Sequence, residues 1–421
     1  MRIAILSSGT RGDLQPMLVV GDALQAAGHS VSLTANPTLA PWARRSGLEV
    51  VEAPLDLEAW FGSPGGKALL ASGNTLAIAA GLRARMAECA DGTLRACTEA
   101  CRGADLVVST ALTLYRGNLH AKALAVPHAA MLTFPVHPTR EFASVLLPVR
   151  TLGLAFLNRA FYELLYRRQY ADQRAALAAT EEALGLPPGG PERPRVDQAP
   201  AAVLCSPTLV SRPADWGRHV VMTGTVHLPA ELRARLGEAE PPAGLEAWLT
   251  AGPPPIYFGF GSMPVLDPPA ALKRIADVTA RLGQRGLICA GWTDFGDAPL
   301  PHHLFLAATL DHDAVLPFCR AAVHHGGAGT TSAAIRAGLP SVVASVFIDQ
   351  AFWGWRLESL GAGVHRPFRK LTERTLEADL RAVLEPAVVA RARYLGVRLR
   401  EEDGLARAVA EVERWGGGRP A

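Results

Sequence analysis

The chain is 421 residues long, 49% hydrophobic and 19% charged, with a formal net charge of +3. Its length leaves room for two or three domains, and so weak a charge, with Lys and Arg spread along the chain, gives no argument for nucleic acid. No apolar run nears the roughly 20 residues of a spanning helix, and Met1-Arg2-Ile3-Ala4-Ile5-Leu6 ends too soon for a signal peptide, so a cytoplasmic protein is expected.

Arg2 to Ser8 reads as an apolar strand, Ser8-Gly9-Thr10-Arg11-Gly12-Asp13 as a turn, and Leu14 to Ala27 as a helix that Gly28 ends. With the strand Val31 to Ala35 these form a βαβ unit, which predicts a parallel sheet. Asp13 falls at the carboxyl end of the first strand, where open α/β sheets hold ligand groups. It is either an N-cap for the helix at Leu14 or a carboxylate held open to a cleft, available as a general base. Leu48 to Ala53 is another strand, and the glycine-rich stretch Phe61 to Gly73 reads as an irregular loop over a cleft. A helix (Leu82 to Cys101), a strand (Asp105 to Ser109), a helix (Leu112 to Ala125) and a strand (His128 to Leu132) follow.

The proline-stiffened loop Thr133 to Thr139 leaves that last strand on the same edge. Phe134, His137, Thr139 and Phe142, together with Phe61, are therefore candidates for an acceptor pocket; a plain surface loop is the alternative. Leu152 to Leu184 is a long helix rich in Tyr, Phe, Leu and Arg. Its Arg167-Arg168 and aromatic face suit either a membrane surface or packing on the domain, and packing is the expectation. A Pro/Gly-rich link, 185–200, precedes the strands Ala201 to Cys205 and His219 to Met222, which close the first sheet. The six cysteines (Cys89, Cys97, Cys101, Cys205, Cys289, Cys319) show no C-x-x-C spacing and read as structural thiols of a reducing compartment.

Residues 1–225 thus form one α/β unit and 226–245, with Pro229, Pro241, Pro242 and Gly244, a linker. A second α/β pattern occupies 246–395. Ile256 to Phe260 is a strand leading into Gly261-Ser262-Met263-Pro264, and Pro269 to Leu282 is a helix. Gly286 to Ala290 is a strand ending at Gly291-Trp292, Leu304 to Ala307 another, and Asp311-His312-Asp313 a loop. An apolar strand end, Arg320 to Val323, then enters His324-His325-Gly326-Gly327-Ala328-Gly329-Thr330-Thr331 and a helix, Ser332 to Ala337. Ser341 to Ser345 is a strand ending at Phe347-Ile348-Asp349-Gln350, and helices follow at Ala351 to Leu360, Leu371 to Leu384 and Glu401 to Trp415.

Strand, glycine loop, helix is an anion-binding arrangement: backbone N–H groups approach the guest closely and the helix start adds about half a positive charge. Neither a Walker lysine nor a G-x-G-x-x-G fingerprint is present, and the expected guest is a diphosphate. A turn with backbone-satisfied histidines is the bland alternative. Asp349 beside Gln350 suits vicinal sugar hydroxyls, or else forms a turn or N-cap before Ala351. The Asp311-His312-Asp313 triplet can hold a divalent metal, but with glycine loop and helix dipole at hand it reads as a cap, His312 lying near the nucleotide and no metal being needed. Two such halves make a cleft for a nucleotide sugar and an acceptor.

These residues resemble the inverting UDP-glycosyltransferase superfamily (glycosyltransferase family 1), in its bacterial antibiotic, macrolide and sterol branch. Ser8 to Pro16, Phe260 to Met263, Gly291-Trp292, His324 to Thr330 and Asp349 to Trp353 match that branch's motifs in order along nearly the whole chain. The resemblance implies a GT-B fold, two facing Rossmann-like domains with parallel sheets and an interdomain cleft, and a final segment, 396–421, crossing back to the first domain. It implies that Asp13 is the base, where relatives often carry His. It implies that His324, Gly326, Gly327, Gly329 and Thr330 hold the diphosphate with Ser262 near it, that Asp349 and Gln350 bind sugar hydroxyls, and that Thr10, Gly12 and Trp292 belong to the donor side. Asp311 departs from the branch, where a less charged residue precedes the His. UDP-glucose is favoured over a dTDP-deoxysugar because Asp349-Gln350 suits several hydroxyls, and the acceptor is a lipophilic small molecule. A nucleotide-sugar epimerase and a silent nucleotide-sugar binder are the rival classes.

Overall fold

The computed structural model describes residues 1–71, 75–147, 149–189, 194–238, 240–261, 265, 267–296, 299–346 and 348–417. Seven strands form the first sheet: β1 (Arg2–Leu6), β2 (Ser30–Ala35), β3 (Glu49–Glu52), β4 (Leu106–Ser109), β5 (His128–Leu132), β6 (Ala201–Val203) and β7 (Val220–Met222). Six form the second: β8 (Ile256–Gly259), β9 (Gly286–Cys289), β10 (Leu304–Ala307), β11 (Ala321–His324), β12 (Ser341–Ser345) and β13 (Gly363–Pro367). Every strand pair is parallel. Strands such as Leu106–Ser109 and Ile256–Gly259 are buried along their whole length, as sheets covered on both faces require.

The strand orders are β3-β2-β1-β4-β5-β6-β7 and β10-β9-β8-β11-β12-β13. Each order reverses at one place, between β1 and β4 and between β8 and β11. Crevices at the carboxyl ends of such strands are where open α/β sheets hold ligands. Asp13 follows β1, and the His324 to Thr330 loop follows β11, so both stand at a reversal.

The first half carries α1 (Arg11–Ala26), α2 (Ala40–Arg44), α3 (Leu57–Gly62), α4 (Pro64–Ala71), α5 (Thr75–Glu88), α6 (Ala90–Ala100), α7 (Leu114–Leu124) and α8 (Ala155–Ala183). The stretch expected as a loop from Phe61 is helical through α3 and α4; its final residues lie outside the described ones. Asp56 caps α3 by accepting from Ala59 N at 2.9 Å, and Ser63 Oγ accepts from Gly66 N at 3.1 Å. A Cβ on Gly66 would stand 2.1 Å from the Trp60 carbonyl, so this glycine serves close packing rather than looseness. The expected helix from Leu82 to Cys101 is two, α5 and α6, meeting at Cys89. The link 185–200 is described except for 190–193.

The linker contains α9 (Ala230–Arg235), whose Leu232 is buried with Leu228 and Leu236 in the first domain's core. The second half carries α10 (Leu245–Thr250), α11 (Pro268–Arg281), α12 (His312–Val315), α13 (Ala328–Arg336), α14 (Gln350–Ser359), α15 (Glu373–Val383), α16 (Pro386–Arg400) and α17 (Gly404–Gly417). Two elements go beyond the sequence expectation. β13 is half-buried at every position and lacks an apolar run. α16 carries a central Gly396, whose added Cβ would lie 2.6 Å from the Ile335 carbonyl, so it lies tight against α13.

α17 packs on α1: Ala408, Val412 and Trp415 join Leu14, Met17, Leu18 and Leu24 in one apolar cluster. The chain therefore passes between the halves twice, and the two passages touch. A Cβ on Gly404 would stand 2.2 Å from the Thr225 carbonyl, and Glu402 accepts from Ser206 Oγ at 2.7 Å. Across the gap, Phe142 stacks on Phe352 with ring centroids 5.2 Å apart. Among the described residues, no helix is long and apolar enough to cross a membrane.

Candidate active site

Three loops build the site. The first follows β1. Gly9 has φ 134°, and a Cβ there would stand 2.2 Å from Asp13 Oδ2, so only glycine lets the carboxylate lie against this backbone. Thr10 Oγ1 accepts from Gly12 N at 3.3 Å, while Thr10 N donates to Asp13 Oδ2 at 2.9 Å. This is a capping box. The helix thus starts at Arg11, three residues ahead of expectation, and its cap is Thr10 rather than Asp13. Burial pushes the Asp13 carboxyl up to about 6, against the opposing pull of the Thr10 hydrogen bonds.

The second loop follows β11. His324 Nδ1 accepts from Gly326 N at 3.1 Å, the local satisfaction that the bland reading foresaw for one nitrogen. His324 Nε2, His325 Nδ1 and Thr331 Oγ1 are buried without a protein partner. Burial holds His324 down at about 3 and His325 at about 4, so both rings are neutral; with Nδ1 accepting, His324 offers its Nε2–H, whereas His325 hydrogen-bonds the Gly259 backbone. The turn is tight: Gly326 has φ 93°, and a Cβ there would meet Val343 at 2.6 Å and the Gln350 carbonyl at 2.8 Å. Gly327 is the N-cap of α13 and supplies no side-chain cap. Gly329 and Thr330 lie in the first turn, where amides have no intrahelical acceptor. Uncapped amides at a helix start are an anion site.

The third loop follows β12. Ile348, a β-branched residue, sits at φ 56° in the left-handed region, a strain of about 1–3 kcal/mol immediately before Asp349. Asp349 Oδ2 accepts from Trp353 Nε1 at 2.7 Å and makes no helix-cap bond. Burial raises Asp349 to about 7, and the Asp13 charge adds to that rise. The two carboxylates, one from each sheet, therefore feel one another. Gln350 is buried, its Oε1 accepting from Val346 N at 2.7 Å.

Other expected residues fall variously. Ser262 lies outside the described residues. His312 Nε2 shares a 2.8 Å hydrogen bond with Tyr257 Oη, and burial lowers it to about 4. Asp311 caps α12 through Asp313 N at 2.9 Å and pairs with Arg233 Nε at 2.7 Å; Asp313 pairs with Arg336 at 2.7 Å. Trp292 N approaches the Gly261 carbonyl at 3.3 Å, and its side chain packs with Trp60, Phe61, Leu69, Met86 and Leu112 of the first domain. Phe61 is buried in that cluster. Phe134 and Phe142 pack in the apolar cluster that also holds Phe352 and Trp353.

His137 and Thr139 are placed otherwise than expected. His137 is buried edge-on to Trp216, centroids 5.7 Å apart, and burial lowers it to about 4. Thr139 Oγ1 donates to Asp215 at 2.7 Å. Both sit within the first domain's own packing, because the loop folds back on the segment before β7 instead of standing on the cleft wall. The glycines flanking Asp13 were the signal for its open carboxylate, and Gly9 is the one whose missing Cβ allows it. Trp353 and Ile348 were given no role of their own; the i, i+4 spacing of Asp349 and Trp353 was the available signal, and no sequence signal marks a left-handed isoleucine.

Two parallel-sheet α/β domains, with a raised carboxylate on one and an uncapped glycine-loop helix on the other, define a GT-B glycosyltransferase. Residues 3–142 match the glycosyltransferase family 28 N-terminal domain, and residues 294–412 match the erythromycin biosynthesis protein CIII-like C-terminal domain. The chain is 32% identical to a sterol 3-beta-glucosyltransferase of Arabidopsis thaliana, over 98% of this chain and 68% of the plant protein. It is 30% identical to an uncharacterized glycosyltransferase of Mycobacterium leprae, over 98% and 96%. Among solved structures, the glycotransferase of kitacinnamycin has a TM-score of 0.71 at 22% identity, covering 98% of each chain. Glycosyltransferase VinC in complex with dTDP has 0.63 at 22%, covering 99% of each. The chain belongs to the family 1 GT-B glycosyltransferases and is a transferase enzyme.

Proposed function

We propose that the protein is an inverting O-glycosyltransferase, a hexosyltransferase moving glucose from UDP-glucose to a hydroxyl of a lipophilic small molecule such as a natural product or a sterol. The observation that carries this reading is that Asp13 and Asp349 act on one another from opposite sheets beside the uncapped start of α13. Asp13, ionised above about pH 6, takes the proton of the acceptor hydroxyl. The freed oxygen bonds to the anomeric carbon from the face opposite the leaving group, and the carbon–phosphate-oxygen bond breaks. The departing diphosphate charge goes to the α13 amides and the His324 Nε2–H. Such pre-aimed donors need no reorganisation as charge develops, and the base contributes roughly 10²–10⁴-fold.

Asp349 and Gln350 bind sugar hydroxyls in this scheme, residues 1–225 take the acceptor, and 246–395 take the donor. The enzyme is cytoplasmic and needs no metal cofactor, the helix start supplying the positive field and the His324 N–H a further donor. The plant relative's activity as a sterol glucosyltransferase supports glucose and a lipophilic acceptor. A dTDP-deoxysugar donor is the second reading, favoured by the antibiotic-type match of residues 294–412, the half that carries the donor loop. A donor panel with sterol, polyketide and flavonoid acceptors, read by mass spectrometry, tests both. A hexose added from UDP-glucose with inverted configuration is expected. Transfer from dTDP-deoxysugars alone selects the second reading, and isomerised donor without acceptor refutes transfer.

A further inference from the structure

We infer that Arg233 is a positioning residue for the nucleotide donor, holding the α12 loop in place through Asp311; the inference rests on the donor reading of the second domain. Helix α9 lies in the linker but is fastened to the first domain. Leu232 is buried in that domain's core, Arg235 pairs with Asp22 at 2.7 Å, and Arg235 Nη1 donates to the Ser46 carbonyl at 2.8 Å. Arg233 reaches the second domain from the same helix. Its side chain is only 12% exposed, and each guanidinium nitrogen meets a different carboxylate: Nε meets Asp311 at 2.7 Å, Nη1 Glu238 at 3.9 Å and Nη2 Asp313 at 3.9 Å. A planar guanidinium serves such partners in fixed directions, which the point charge of a lysine does not.

The Asp311 carboxylate has two tasks. Its Oδ1 accepts from Asp313 N at 2.9 Å and so starts α12, while its Oδ2 pairs with Arg233. His312 follows directly, its ring edge-on to Tyr257 and its Nε2 2.8 Å from Tyr257 Oη. Helix α12 lies against α13, whose start is the uncapped anion site. Glu238 pairs in turn with Arg11, the first residue of α1 and two before Asp13, at 2.7 Å, and Asp313 pairs with Arg336 at 2.7 Å. Three guanidiniums and three carboxylates thus join the helix of the base, the linker and the donor loop, with Arg233 at the centre. Exposed ion pairs contribute little, but removing one partner of a largely buried pair leaves the other charged and uncompensated. Without Arg233, the Asp311 carboxylate is drawn towards water and off the α12 amide, and His312 loses its fixed place.

The test is calorimetric binding of UDP and of dTDP to the full chain, with donor and acceptor KM taken from steady-state kinetics. Arg233→Gln should weaken binding of the nucleotide diphosphate roughly ten-fold and raise donor KM to match, with acceptor KM at the parent value. Asp311→Asn added to Arg233→Gln should recover most of that loss, because the amide oxygen still caps α12 and carries no unpaired charge. A role confined to stability would move both KM values together and give no such recovery. Parent-like binding in Arg233→Gln, or a double variant that binds no better than the single one, overturns the inference and leaves the transferase reading intact. A parent that binds neither nucleotide refutes the donor reading and the inference together. If Arg233→Gln fails to fold, Arg233→Lys decides: it keeps the charge but not the fork, and parent-like affinity in it overturns the inference.

Discussion

Replacing Asp13 by Asn separates the two jobs that this residue holds. The structure gives it a structural job, accepting from Thr10 N at 2.9 Å in a capping box, and a chemical one, a carboxyl raised to about 6. An amide oxygen still accepts from Thr10 N, so Asn preserves the cap, whereas Ala loses it at a cost of about 1 kcal/mol. Because the native carboxyl titrates above its ordinary 3.8, the folded protein holds the proton more tightly than the unfolded chain between 3.8 and about 6. Stability therefore falls as pH rises through that window, and the cost is fully present above about 6. Roughly two pKa units correspond to about 3 kcal/mol, which partial exposure reduces to about 1–2 kcal/mol. Near pH 8, Asp13→Asn should thus unfold at a temperature equal to or above that of the parent, while kcat falls roughly 10²–10⁴-fold. In the parent, kcat/KM should climb with pH to a plateau above about 6, and in the variant that limb should vanish. Donor binding, followed by calorimetry with UDP, should persist. Parent-like turnover in Asp13→Asn, or an unchanged acidic limb, would refute the assignment of the base.

Gly9→Ala forces a Cβ within 2.2 Å of Asp13 Oδ2 at φ 134°, so kcat should fall nearly as far as in Asp13→Ala, with a lower melting temperature. Trp353→Phe removes the 2.7 Å donor to Asp349; a hydrogen bond to a charged group is worth about 1.5–3 kcal/mol, so donor KM should rise about ten-fold or more with acceptor KM unmoved. Trp292→Ala strips packing from the α3 to α5 cluster, and steady-state kinetics should show a raised acceptor KM with donor KM little changed. A chelator should leave the rate unchanged; a rate restored by added divalent metal would point back to Asp311 and Asp313.

Much of the architecture was legible because its signals are local. Fully buried parallel strands read as short apolar runs, and Gly326, Gly291 and Gly28 punctuate them. The elements that escaped are those set by distant partners. β13 is an edge strand half-buried throughout, and α16 carries a glycine whose reason lies in α13. The glycines around position 66 looked like looseness but permit backbone contact between α3 and α4. At the site, residue types told of an anion and a carboxylate, yet the sequence could not tell which groups are consumed by structure. His137 and Thr139 carry suitable chemistry but spend it on Trp216 and Asp215. Asp311 and Asp313 spend theirs on Arg233 and Arg336.

The two passages of the polypeptide between the halves meet at Gly404 and Thr225. One covalent thread would leave a ball joint, free to twist and slide. Two threads in backbone contact make a pivot, with the remaining freedom a swing of one lobe about the line they define. Ser332 of α13 donates to Thr225 at this pivot with an oxygen–oxygen distance of 2.9 Å, so the helix that starts at the glycine loop is anchored close to the axis. Arg356 Nε of α14 donates to the Leu209 carbonyl at 3.0 Å, and Leu209 N donates to Ser206 Oγ, the partner of Glu402, so the helix that carries Phe352 is tied to the same crossing.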